Sequence, residues 1–222
     1  LLPRIERVFS MLSMRSTKTD DLTTRARIRD AAIEVFGRDG FTTGVRAVAT
    51  AAGVSPGLVN HHFGSKDGLR AACDGYVQDL LRDSKSSALS SPPAGIIAQL
   101  AEIDYYAPVV AYIVRSFASG GQLATDMYEH MVDDAVAYLD EGVASGRLKA
   151  SRDPRARACF LVRQNVGGML VYLQMQPQGT DFKTALRNMT EEITLPALEL
   201  YTEGLFAETD TLDTYLRHQE NR

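Results

Sequence analysis

The chain has 222 residues, enough for one large domain or for a small one and a medium one. Apolar residues make up 45% and charged residues 23%, an ordinary globular balance, and no run approaches the roughly 18 apolar residues of a membrane span. The net charge of −4 hides an asymmetry. Residues 1–70 carry 11 Lys and Arg against 7 Asp and Glu, whereas the remainder carries 13 against 21. Contact with a polyanion is therefore expected only at the N-terminal end. The two cysteines, Cys73 and Cys159, lack C-x-x-C spacing and read as buried, reduced thiols of a cytoplasmic protein.

Residues 1–20 read as a disordered arm, because Pro3 and the Ser/Thr/Lys/Asp-rich run 15–21 break the apolar pattern, with Met14 as an internal start. A first helix is expected over 23–38: Ile28, Ala31, Ala32, Val35 and Phe36 recur at helical spacing, and Gly40 follows as the stop. A second runs over about 45–52 and ends at Gly53. Ser55 caps a short third helix, with Pro56 in its first position and Phe63 at its end. Ser65 caps a connecting helix, 66–83, which "SKSSALSSPPAG" at 84–95 ends. Further helices are expected at about 94–103, 105–118 (with Pro108 in its first turn), 122–145, 155–175 and 182–204, with a short amphipathic tail at 210–218. No stretch alternates like a strand. The fold class is all-α: a three-helix head, a connecting helix and a larger helical body.

The run "GVSPG", 53–57, also fits the G-x-S-x-G pattern of a hydrolase nucleophile. That elbow needs a buried strand before the serine. What precedes is "VRAVATAA", whose four alanines favour helix over strand. His61 and His62 are adjacent on a helix and so point about 100° apart, which does not suit one metal ion. No catalytic residue, cofactor or metal is expected. A helix-turn-helix fits better. Gly53 supplies the sharp turn, Val48, Ala49, Val54, Leu58 and Val59 lock the two helices, and Ser55, Gly57, Asn60 and His61 face outward. Pro56 and Gly57 keep the N-terminus slim, so that it can approach base edges or phosphates.

The stretches "ARIRDAAIEVFGRDGF", "VRAVATAAGVSPG" and "HHFGSKDGLRAAC" together resemble the DNA-binding head of TetR-type transcriptional regulators. The resemblance implies a bacterial homodimer that binds double-stranded DNA and answers to a small molecule, most often as a repressor. By position, it assigns Arg46 a base or phosphate contact. It gives Ser55, Pro56, Gly57, Asn60 and His61 the contact face of the recognition helix, and Lys66 a phosphate contact. Gly44 stands where the family usually has a threonine cap, and Thr43 can substitute one residue early. Asn60 stands where the family usually has a phosphate-binding tyrosine. An asparagine can pair with adenine or bond a phosphate, and both readings stay open. His62 is expected to pack at the edge of the head. The implied organisation is an arm at 1–20, a helix-turn-helix domain at 21–65, and a ligand-binding and dimerisation domain at 66–222.

The body is rich in tyrosine and methionine, which suits core packing and also a roomy pocket with a few hydrogen-bonding handles. The expected ligand contacts are Tyr112, Arg115, Met127, Met131, Gln164, Asn165, Gly168 and Tyr172, for an apolar or aromatic effector. Helices 155–175 and 182–204 are expected to form a four-helix bundle with a second copy. Gly167-Gly168 would allow close approach there, or would enlarge the pocket. Ligand is expected to move the connecting helix and so the spacing of two heads on a palindrome, releasing DNA that controls, for example, an efflux transporter. The rival readings are an activator, a regulator without ligand, and a helical small-molecule carrier.

Overall fold

A computed structural model describes residues 3–91, 103–208 and 210–220 of the chain, with side chains from Asp21 onward except at 89, 90 and 123. Every regular element among them is an α-helix. The helix expected at 94–103 lies almost wholly outside the described residues.

Helix α1 spans Pro3–Asp39, 37 residues. The sequence reading starts it at 23 after an arm, but the helix runs back without interruption. No glycine or proline lies between Arg4 and Phe36. The serines and threonines in that span cost only tenths of a kcal/mol each, about 0.7 at most. Pro3 stands at the first position, where its missing N–H is no loss. Gly40 ends α1 with φ 86°, its amide donating to the Phe36 carbonyl at 2.9 Å.

Helix α2, Val45–Ala52, and helix α3, Pro56–Phe63, stand on either side of Gly53. Gly53 takes φ 65°, a left-handed conformation that a side chain would strain. The next amide, of Val54, donates to Ala49 O at 2.9 Å and closes the turn. Helix α4, Lys66–Ser90, begins at Ser65, whose hydroxyl accepts from Gly68 N at 3.0 Å. It continues seven residues past the expected end at 83. The run "SKSSALS" mixes four serines with the good helix formers Lys85, Ala88 and Leu89 and holds no breaker, and Pro92 comes only after the terminal Ser91.

The body contributes α5 (Ile103–Ser119), α6 (Gly121–Ala144), α7 (Pro154–Gln174), α8 (Phe182–Thr202) and α9 (Asp210–Glu220). Because α5 begins at Ile103, Pro108 sits in its second turn rather than its first. The carboxylates of Asp153 and Asp181 cap α7 and α8, accepting from Ala156 N at 2.9 Å and Thr184 N at 3.0 Å.

Helix α1 packs chiefly against α5, α4 against α6, and α6 against α7, while α7 and α8 barely meet. One core joins head and body. Ile28, Phe36, Val48, Val59 and Phe63 share it with Leu69 and Val77 of α4 and with Val109, Tyr112 and Ile113 of α5. A second core, around Val132, Leu139, Ala158 and Val162, lies between α6 and α7. At the α1–α5 crossing a Cβ on Gly37 would meet the backbone nitrogen of Tyr112 at 3.0 Å, so a side chain there would push the two helices apart by a few tenths of an ångström.

Candidate nucleic-acid interface

The α2–turn–α3 unit is held from inside. Val48 and Val59 are fully buried, Val54 and Leu58 are half-buried, and Phe63 closes the base. Its outer face carries Arg46, Ser55, Pro56, Gly57, Asn60 and His61, all exposed, with exposed Gly44 and half-buried Thr43 just before α2. Gly44 is the residue at the α2 cap position and offers no side-chain bond there. Arg46 and Asn60 spend no side-chain hydrogen bond on any described residue, so their polar groups are available to a ligand. Ser55 accepts the Leu58 amide at 3.2 Å. Its hydroxyl is thus a helix cap, and no strand precedes it among the described residues. Pro56 has no N–H and the Leu58 amide is spent on Ser55, which leaves the Gly57 N–H as the first-turn donor beside it, with the positive end of the helix dipole.

Lys66 is less free than its position in sequence suggests. Its ammonium donates to the Phe41 carbonyl at 2.5 Å, which ties the start of α4 to the loop before α2. Two further N–H donors remain on the nitrogen. His62 packs inward with a side chain only 4% exposed, its Nδ1 3.6 Å from Asp21 Oδ1. Arg25 covers the Phe63 ring at 4.9 Å, and Arg29 covers Tyr76 at 3.4 Å. Exposed Arg25, Arg27 and Arg46 extend the basic surface of the head.

The eight expected ligand contacts do not converge. Tyr112 is fully buried between head and body, donating to Asp74 Oδ1 at 2.6 Å. Burial and the Asp74 carboxylate hold its phenol far above the usual range. Arg115 donates to Arg38 O at 2.9 Å and Gly37 O at 3.5 Å, serving the orphan carbonyls at the end of α1. Met131 fills the junction of the two main cores. Tyr172 packs with Met169, Leu186 and Met189 between α5, α7 and α8. Gln164, Asn165 and Gly168 are exposed on the outer side of α7, where the Asn165 amide donates to its own helix at Leu161 O. Met127 lines a cleft of about 280 Å³ between α4 and α6, shared with Asp74, Gln78 and His130. A larger cleft of about 340 Å³ opens where α1, α4, α5 and α8 meet.

Sequence reasoning missed this larger cleft and also Asp74, the partner of Tyr112. Nothing in a linear pattern brings positions 34, 76, 104 and 183 together. The Cys73 thiol is buried beneath Arg29, and burial, with the nearby Asp74 carboxylate, pushes it up to about 12. Among the described residues no cluster of His, Cys, Asp or Glu is arranged to hold a metal, and no helix is long and apolar enough to cross a membrane.

A buried two-helix unit with a glycine turn, a capped and exposed second helix, and an all-helical body behind it define a helix-turn-helix transcriptional regulator. Residues 28–73 match the family model for bacterial regulatory proteins of the tetR family, and residues 104–207 match the tetracyclin repressor-like C-terminal domain. The chain is 54% identical over 200 residues to the HTH-type transcriptional regulatory protein RaaS of Mycobacterium tuberculosis, across 90% of this chain and 94% of that one. It is 39% identical over 131 residues to the HTH-type transcriptional regulator UidR of Escherichia coli, across 57% and 61%. The chain belongs to the TetR family of transcriptional regulators. Solved structures agree in fold. SmeT, the repressor of the Stenotrophomonas maltophilia multidrug efflux pump SmeDEF, superposes with a TM-score of 0.52 at 21% identity, covering 78% of this chain and 89% of that one. A TetR transcriptional regulator from Chloroflexus aurantiacus gives 0.52 at 21%, covering 79% and 96%.

Proposed function

We propose that the chain is a repressor that binds a palindromic operator as a homodimer in the cytoplasm and is released by a small apolar or aromatic molecule. An efflux transporter is the proposed target, since a regulator released by a compound is suited to inducing that compound's export. The head is 21–65 and the body 66–222. The observation that carries the reading is the outward face of α2 and α3, where Arg46, Asn60 and His61 stand exposed beside a slim, capped helix N-terminus. Thr43, Gly44, Ser55, Pro56, Gly57 and Lys66 complete the proposed contact surface. One eight-residue helix reads too few bases for a specific site, and two heads about one DNA turn apart solve that.

The surface of α7 and α8 supports the dimer. Phe160 and Val171 on α7 and Met175 just after it, with Leu195, Leu198 and Tyr201 on α8, are 42–78% exposed. So many large apolar side chains left exposed on two helices suit a partner surface. Gln164, Asn165 and Gly168 lie on the same side of α7 and are assigned to this interface. A Cβ on Gly168 would meet nothing within 4 Å in the single chain, which leaves room for a second helix to approach. Release works through the head–body joint: a ligand that shifts α4 or α5 moves α1 and the Lys66 anchor, and with them the head spacing.

Selection of bound sequences from a random DNA library tests the reading. The expected product is a palindrome with half-sites about one turn apart, bound by a species of dimer mass in light scattering. Enrichment of a single non-palindromic site by a monomer would overturn it. Asn60→Ala against a series of operator variants then separates base from phosphate contact: a uniform loss across sequences excludes base reading.

A further inference from the structure

The cleft of about 340 Å³ at the head–body joint has the size of a small-molecule site, and its walls come from four helices. Ile33 of α1, Leu80 of α4 and Val109 of α5 supply apolar walls, and Tyr76 and Tyr105 supply aromatic ones. Its polar groups are mostly acceptors. Among the described lining residues, Asp30, Glu34 and Asp104 bring three carboxylates and Lys183 is the one cation.

Two of the carboxylates are already partly engaged. Arg29 holds Asp30 at 2.7 Å, and Arg187 bonds Asp104 Oδ2. The other Asp104 oxygen, Oδ1, is buried and accepts no hydrogen bond from any described residue. A buried acceptor left unpaired carries a full desolvation cost. Glu34 also makes no ion pair among the described residues. The cleft therefore presents the unpaired Glu34 carboxylate on α1 and, on α5, an Asp104 carboxylate whose Oδ1 lacks a donor, above an apolar and aromatic floor.

We propose that this cleft binds an amine-bearing amphiphile: a protonated amine bonded to Asp104 Oδ1 and Glu34, with an apolar or aromatic tail against Tyr76, Leu80 and Val109. The inference rests on the reading that a small molecule releases DNA, and gives that molecule a charge and a place. The site touches α1, α4 and α5 at once. Occupancy there acts directly on the joint that sets the position of the head.

The test is calorimetric titration of the full chain with phenylbutylamine, phenylbutyrate and phenylbutanol, which share a skeleton and differ in charge. The amine is expected to bind at least roughly tenfold more tightly than the other two, the size of a charge-assisted hydrogen bond. Glu34→Gln and Asp104→Asn should each weaken the amine by about tenfold. Glu34→Gln leaves the Arg187 pair intact, so it controls for any disturbance of the fold in Asp104→Asn. Lys183→Gln should tighten the amine and leave the alcohol unchanged. Equal binding of amine and butyrate, or wild-type amine binding by both carboxylate variants, would overturn the proposal. A separate titration of selected DNA with the amine present tests release. If the amine binds through Glu34 and Asp104 while DNA affinity is unchanged, the site stands and the release reading fails. If another ligand releases DNA while the amine does not bind, the release reading stands and this site fails.

Discussion

Head and body use the same helical chemistry to different ends. The head completes its core within one chain: Val48, Val59 and Phe63 are buried, and its exposed face is polar. The body leaves apolar side chains outside, with Phe160, Val171, Met175 and Leu195 each more than 60% exposed. A surface that has finished packing is free to read another molecule through hydrogen bonds. A surface that has not finished packing calls for more apolar area, here assigned to a second copy. Yet the two regions are not separate bodies. The core that folds the head passes through Phe36 and Phe41 to Tyr112, whose ring meets Phe41 edge-on at 5.2 Å.

The sharpest way to break this comparison is to cut that shared core. Phe36 is fully buried between α1, α2 and α5. Phe36→Ala should cost about 3–5 kcal/mol of unfolding free energy in urea. It should also lower the midpoint for loss of DNA binding and the midpoint for loss of helicity together. If DNA binding failed well before the helical signal, the head would be an independent unit and the shared core would carry no coupling.

Arg46→Ala strikes the outer face alone. The guanidinium makes no hydrogen bond or ion pair among the described residues, so its removal should leave the melting temperature unchanged. DNA affinity should fall by about 1–3 kcal/mol, roughly tenfold to hundredfold. A drop in melting temperature of several degrees would reassign Arg46 to stability.

The contrast between head and body also governs what the sequence could reveal. In the head, the relevant geometry is local. Gly53 after a run of alanines, and Ser55 followed by Pro56, settle the turn and the cap within five residues, and the structure places both as expected. In the body, periodicity reports which face of a helix is apolar but not what that face meets. Lying among apolar residues, Tyr112 reads in the sequence as a pocket wall. Its actual partner, Asp74, is 38 positions away on α4. Arg115 reads in the sequence as a ligand handle, and the structure has it cap α1 from 77 positions away. Boundaries failed for a related reason. The serine-rich run after 83 looks like a loop, yet Lys85, Ala88 and Leu89 are good helix formers, Ser86 bonds Glu141 of α6 at 2.5 Å and Ser91 caps the helix, so α4 continues through the serines.

Caps offer a finer comparison, because the same device sits in both regions. Ser55→Ala in the head and Asp181→Ala in the body each remove one acceptor from a first-turn amide. Each should cost about 1 kcal/mol of stability. Only Ser55→Ala should also weaken DNA binding, since it frays the recognition helix. Asp181→Ala should leave DNA affinity unchanged when measured well below the melting temperature. Equal loss of DNA binding in both would mean that the head responds to body stability in general and not to its own helix.

The smallest effect is expected where the two regions are bonded together, and its sign depends on pH. Burial raises the pKa of Asp74 above its ordinary value, and this outweighs the Tyr112 hydrogen bond and the Arg70 charge, Nε to Oδ2 3.8 Å, which lower it. His130 also lowers it, while Asp126 raises it. The folded chain thus holds this proton more tightly than the unfolded chain does. The resulting stabilisation is fully present below the ordinary carboxylate value of about 3.9 and is lost as pH rises through the higher folded value. Asp74→Asn removes the titration and keeps an acceptor for the Tyr112 hydroxyl. Relative to the unmodified chain, the variant should therefore fare better at about pH 7 than at about pH 4, as read from urea midpoints at each pH. The opposite sign would mean that the Arg70 pair, and not burial, governs the α4–α5 contact.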